Sequence, residues 1–149
     1  MVDGKTQSAG SKAKAIVLRK EFAEEKDLFS IDYTSAYSTP NLDKLIRTFV
    51  YDRQGEGSFT VSDEFTANAP IRFETAITTQ ADWKIIDGTH LLLTTGTEQM
   101  IVNVEASGKV AFTSEIIEVN APAYTRIGIT LKEQSEKGYI RLKMQAKQL

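Results

Sequence analysis

The chain has no cysteine, a single histidine (His90), a single tryptophan (Trp83) and three prolines among its 149 residues. Without cysteine there is no disulfide, no thiolate nucleophile and no sulfur-rich metal site, and the redox compartment leaves no mark. One imidazole excludes any centre built on several, and no residue at ligand spacing joins His90 to hold a metal. A nucleophile–histidine–acid triad would have to use His90, and no serine occupies a strained elbow motif. Neither glycine-rich phosphate signature is present. No apolar run approaches the roughly 20 residues of a membrane-spanning helix, and the first ten residues lack the apolar stretch of a signal peptide. A net charge of −2 leaves no electrostatic footprint for nucleic acid. These absences leave no catalytic residue, metal ligand or cofactor to assign.

What is present is alternation. Hydrophobic residues make up 41% of the chain and charged residues 26%, a balance that favours a folded globular domain over disorder. Apolar residues share one parity within successive runs: Phe59, Val61 and Phe65; Ile71, Phe73 and Ile77; Met100, Val102 and Val104. The pattern continues through Val110, Phe112 and Ile116, then Ile127, Ile129 and Leu131, and then Ile140, Leu142, Met144 and Ala146. The intervening residues are mostly polar, as in strands with one wet face. Gly55-Glu56-Gly57, Asp87-Gly88, Ser107-Gly108 and Lys137-Gly138 read as turns that tolerate positive φ, with Asp87-Gly88 as the sharpest hairpin signal. The pattern predicts an all-β antiparallel sandwich of about ten to twelve short strands, in one domain over residues 1–149. Residues 1–12 are expected to be loosely held, and a short helical turn is expected over Lys20–Lys26. Asn68-Ala69-Pro70 and Asn120-Ala121-Pro122 form a faint internal echo, each read as a turn before a strand.

Polar residues at core parity carry the chemical interest. Arg47 interrupts the apolar strand Arg47-Thr48-Phe49-Val50-Tyr51, and Asp63 interrupts Val61-Ser62-Asp63-Glu64-Phe65. Asp32, Thr34 and Tyr37 crowd one strand end nearby. Such side chains need partners if buried, so Asp32, Thr34, Tyr37, Arg47 and Asp63 are expected to form a structural polar network rather than a catalytic site. Asp32 and Thr34 suit a turn cap, and Asp63 suits pairing with Arg47 across neighbouring strands. Trp83 and the stripe Arg141, Lys143 and Lys147 are a second set, able to contact an acidic glycan by stacking and charge. Core packing for Trp83 and edge protection for the basic stripe are the simpler explanations. Adjacent carboxylates such as Asp63-Glu64 and Glu24-Glu25 would point to opposite strand faces and do not make a glycosidase pair by themselves.

The strands Asp32-Tyr33-Thr34-Ser35-Ala36-Tyr37, Arg47-Thr48-Phe49-Val50-Tyr51 and Val61-Ser62-Asp63-Glu64-Phe65 follow the turn Val2-Asp3-Gly4-Lys5-Thr6-Gln7. In order and spacing this series resembles the C-terminal β-sandwich of heparinase II/III-like polysaccharide lyases. The resemblance implies a sandwich that accompanies an N-terminal α/α toroid. Members cleave uronate-containing glycans by β-elimination, with tyrosine and histidine as base and acid. Those groups lie mainly on the toroid. The sandwich adds a histidine and, in some members, a metal site, from strands that precede the Val-Asp-Gly-x-x-Gln turn. His90 matches none of these positions. The resemblance therefore implies a non-catalytic domain that supports glycan degradation, partnered by an α/α toroid, in a periplasmic or extracellular setting.

Two other roles remain open on the residues alone. One is a stand-alone carbohydrate-binding module for acidic polysaccharide. The other is an interaction domain that self-associates as a homo-oligomer through an open sheet edge.

Overall fold

Among the described residues eleven strands, all paired antiparallel, account for the alternation. The computed structural model describes residues 1–118 and 122–147. The strands are β1 (Ile16–Phe22), β2 (Lys26–Asp32), β3 (Leu42–Asp52), β4 (Ser58–Ile71), β5 (Glu74–Thr79) and β6 (Asp82–Ile85). They continue with β7 (His90–Thr95), β8 (Glu98–Ala106), β9 (Val110–Ile117), β10 (Tyr124–Leu131) and β11 (Ser135–Ala146). Eight form one sheet in the order β1-β2-β3-β4-β11-β8-β7-β6, and three form a second in the order β5-β10-β9. The small sheet covers part of the large one, and the core lies between them. Ile127 and Ile129 of β10 and Leu45, Leu91 and Val102 of the large sheet are fully buried, with Ile140 at 1% exposure. Phe65 stacks on Phe73 with ring centroids 4.8 Å apart, joining the large sheet to the crossing that leads into β5. Each such side chain stabilises the fold by about 1.5–3 kcal/mol relative to an exposed position.

Turn chemistry agrees with the sequence in places and departs from it in others. Gly55 and Gly57 both have positive φ and close the β3–β4 hairpin. The β6–β7 hairpin also forms, but Gly88 is not at positive φ. The Asp87 carboxylate closes that loop instead, accepting from the Thr89 backbone N–H at 2.7 Å. Ser107-Gly108 is a crossing from the large sheet to the small one rather than a hairpin turn. Gly138 lies inside β11, where a Cβ would stand 3.0 Å from the Phe65 ring and 2.7 Å from Ser107 Oγ. It is a close-packing glycine, not a turn.

Two further expectations are corrected. Lys20–Lys26 is not helical: it spans the end of β1, a short connection and the first residue of β2, with Phe22 opposite Asp27. Cross-strand pairing overrides the helix-forming tendency of its Lys and Glu residues. The one helical turn among the described residues is a 3-10 turn at Thr34–Ala36. Asn68-Ala69-Pro70 is not a turn, because β4 runs through it to Ile71, and Asn120-Ala121 lie outside the described residues. The leading segment is anchored at its start. Val2 is fully buried, the Asp3 N–H donates to Arg72 O at 2.9 Å and the Glu74 N–H donates to Met1 O at 3.0 Å. Asp3 and Gly4 both have positive φ between the paired residues Val2 and Lys5, which makes a tight two-residue turn.

Candidate functional site

Strand register delivers Arg47 and Asp63 to each other. Arg47 on β3 lies directly opposite Asp63 on β4, both on the face that carries Leu45 and Phe65. The guanidinium donates to both carboxylate oxygens, Nε to Oδ1 at 2.7 Å and Nη2 to Oδ2 at 2.6 Å. This two-pronged geometry is the strongest form of the Arg–carboxylate pair. Asp63 is 1% exposed, so its charge depends on these partners. Tyr33 adds a third donor, its hydroxyl reaching Oδ1 at 2.9 Å, while its ring lies 5.4 Å from Arg47 Cζ. Arg47 Nη2 also reaches Thr75 Oγ1 on β5 at 3.4 Å, a weaker contact that links the two sheets.

The electrostatics follow from burial and from this pairing. Burial holds the Tyr33 phenol well above its usual range, and the Asp63 charge adds to the effect. Burial alone would lower the proton affinity of the Arg47 guanidinium, but the hydrogen bonds and charge of Asp63 outweigh it and the net shift is upward. Burial also raises the Tyr37 phenol, against the pull of Arg47. None of these shifts prepares a general base near neutral pH, since each favours the form already present there.

The five network residues do not form one cluster. Arg47 and Asp63 pair as described. Asp32 and Thr34 build a separate local turn: Asp32 Oδ1 accepts from the Thr34 N–H at 3.0 Å and from its hydroxyl at 2.6 Å. Thr34 Oγ1 in turn accepts from the Leu45 N–H at 2.8 Å. Tyr37 packs edge-on against Tyr33, ring centroids 6.0 Å apart, and it is Tyr33 that holds Asp63. Sequence reasoning missed Tyr33, Thr75 and a second ion pair in which Arg126 Nη2 on β10 donates to Glu74 Oε1 on β5. Glu74 Oε2 also accepts from Thr130 Oγ1 at 2.9 Å. One sequence signal for this pair exists in Gly128, inside an apolar strand, where a Cβ would stand 3.1 Å from the Glu74 carboxylate.

These groups meet at a cavity of about 350 Å³ between the leading segment and β5, lined by Tyr33, Tyr37, Arg47, Glu74, Thr75 and Arg126 among others. A larger hollow of about 490 Å³ lies by Ile46, Phe65 and Tyr139, away from them.

The second predicted set is divided by the sheet. Trp83 on β6 pairs with Leu93, which pairs with Met100, which pairs with Ala146. That row shares the core face, and Trp83 is partly buried against the core. Arg141 and Lys143 alternate with Ile140, Leu142 and Met144 and so face the other way. Arg141 donates to Glu105 at 3.1 Å, and Lys147 follows the end of β11. Trp83 and the basic stripe therefore present no joint surface. His90 sits at the β6–β7 turn, its Nδ1 3.0 Å from Asp87, in a structural setting.

No family model matches the sequence, and no curated protein matches it either. Solved structures do match the fold. A heparinase III crystal structure superposes with a TM-score of 0.66 at 17% identity, over 87% of this chain and 21% of that one. The chain has the fold of part of heparinase III. Heparan sulfate lyase HepC from Pedobacter heparinus gives a TM-score of 0.68 at 13% identity, over 89% of this chain and 22% of that one. A heparinase III gene product with methylated lysines gives 0.70 at 11% identity, over 100% of this chain and 23% of that one. The chain spans less than a quarter of the length of each of these three structures.

Proposed function

We propose that this chain is a non-catalytic β-sandwich domain of a heparinase II/III-type polysaccharide lyase system. In this reading it supports glycan degradation by completing or stabilising an α/α toroid that carries the chemistry. The observation that supports it is proportion: the fold likeness covers 87–100% of this chain but only 21–23% of the lyases. The interior agrees with a supporting role, since Asp63 is held by three donors and the one histidine lies at a hairpin turn. The setting would be periplasmic or extracellular.

Two assays test this. Incubated alone with heparan sulfate, the chain releases no unsaturated uronate, as followed by ultraviolet absorbance. Added to an α/α-toroid lyase domain encoded beside or upstream of it, the chain raises that domain's melting temperature. Uronate release by the chain alone would overturn the non-catalytic reading, and an unmoved toroid would overturn the supporting one.

A second reading concerns β1, the outermost strand of the large sheet, whose seven residues are all exposed. Ile16, Val17, Leu18 and Phe22 are each about half exposed or more. Antiparallel pairing with a second copy about Lys20 would set Arg19 opposite Glu21 twice, a self-complementary charge order that favours a homodimer. Sedimentation velocity tests it: a concentration-dependent dimer abolished by Leu18→Pro supports this reading, and a monomer throughout rules it out.

A further inference from the structure

The cavity beside β5 has an uneven supply of hydrogen-bonding groups. Its two carboxylates are occupied. Asp63 takes three donors, from Arg47 Nε, Arg47 Nη2 and the Tyr33 hydroxyl. Glu74 takes Arg126 Nη2 on one oxygen and Thr130 Oγ1 on the other. The donors are in excess, because each guanidinium carries five N–H groups. Among the described residues, Arg47 Nη1 has no partner, and neither does Arg126 Nε. Arg126 Nη1 touches only Glu115, at the limiting distance of 3.5 Å. The two guanidinium groups stand on different sheets, at β3 and β10, yet line the same space. Both also act through charge on the Tyr37 hydroxyl, whose half-buried ring forms one wall.

The geometry points to an oxyanion-binding site in this cavity, in which the spare N–H groups of Arg47 and Arg126 take a carboxylate or sulfate of a small ligand. At about 350 Å³ the space suits a ligand near the size of one sugar ring. The internal ion pairs fix both guanidinium groups before the ligand arrives, which lowers the ordering cost of binding. They also cancel much of the long-range charge, so recognition rests on directed donors rather than on attraction at a distance. A neutral ligand would leave those donors facing too few acceptors. The site goes beyond the domain assignment, which stands or falls on the uronate-release and toroid assays.

The test is a titration of the whole 15N-labelled chain, followed by NMR at the arginine Nε–H and backbone amide signals, at constant ionic strength. Sodium sulfate and sodium glucuronate are the probes, with glucose and sodium chloride as controls. Saturable shifts are expected at Arg47, Arg126 and Tyr37 with an oxyanion and with neither control. Glucuronate binding well ahead of sulfate identifies a sugar acid as the source, and equal binding identifies a free inorganic oxyanion. Arg126→Gln, with an otherwise native amide spectrum, should weaken binding about tenfold, the scale of one charge-assisted hydrogen bond. If that variant loses its fold because Glu74 is stranded, the double variant Glu74→Gln/Arg126→Gln removes both charges and is read in the same way. The site is refuted if neither oxyanion gives a saturable shift, if glucose shifts the same signals, or if the folded variant binds undiminished.

Discussion

Tyr33 donates its hydroxyl to Asp63 at 2.9 Å, on the same carboxylate oxygen that Arg47 Nε holds. The tyrosine comes from the segment after β2 and the aspartate from the middle of β4, so the bond ties the sheet's early strands to its centre. Deleting only the hydroxyl, in Tyr33→Phe, should cost about 1.5–3 kcal/mol, the range for a hydrogen bond to a charged group. Urea denaturation measures it, and the ring should keep its packing against Tyr37.

Alkaline pH should act through the same residue. Tyr33 is an acid whose folded pKa is raised by burial above its usual value near 10. Its neutral form is the one the fold accepts, so its contribution is complete below about pH 10 and is lost as pH rises further. Tyr37 is shifted in the same direction by burial. The urea midpoint should therefore fall steeply above pH 10. Tyr33→Phe should flatten that fall and leave the share due to Tyr37.

At the other end of the pH scale Asp87 is one of the sensitive groups, beside Glu21 and Asp27, whose arginine partners hold them below the usual carboxylate range. The Thr89 backbone N–H, followed by His90, lowers the Asp87 carboxyl to about 2. A depressed folded pKa gives a contribution present above the unfolded value near 4 and lost as pH falls toward 2. NMR titration of the Asp87 carboxyl should give a midpoint near 2, and amide exchange at β6 and β7 should rise across that interval. A midpoint near 4 would mean that the turn bonds do not persist in solution.

Gly138 offers a steric test. Its backbone is not at positive φ, so Gly138→Ala introduces no conformational strain but pushes a methyl against the buried Phe65 ring. The expected loss is about 1–3 kcal/mol, the cost of overpacking. Gly108→Ala, where the added methyl meets open space, should change the urea midpoint little.

The strands were legible because the large side chains share one parity: Ile127, Ile129 and Leu131, or Ile140 and Leu142, are buried, while Gly128, Thr130, Arg141 and Lys143 hold the positions between or beside them. Arg47 and Asp63 were legible for the same reason, since each stands at core parity between apolar neighbours. β1 was not, because its Lys and Glu residues favour a helix until β2 pairs with them. Tyr33 could not be told from Tyr37, because the 3-10 turn between them breaks the alternation that would have assigned their faces. Glu74 and Arg126 are 52 residues apart, and only the folded edge of the small sheet brings them together.

The account rests most heavily on Arg47 and Asp63 acting as a brace for the sandwich. A double-mutant cycle in urea with Arg47→Met and Asp63→Leu measures this directly. Each single variant strands one charge and should lose about 3–5 kcal/mol. The double variant, which removes both charges, should recover much of that loss. Single variants as stable as the wild-type chain, or losses that simply add in the double variant, would contradict the account.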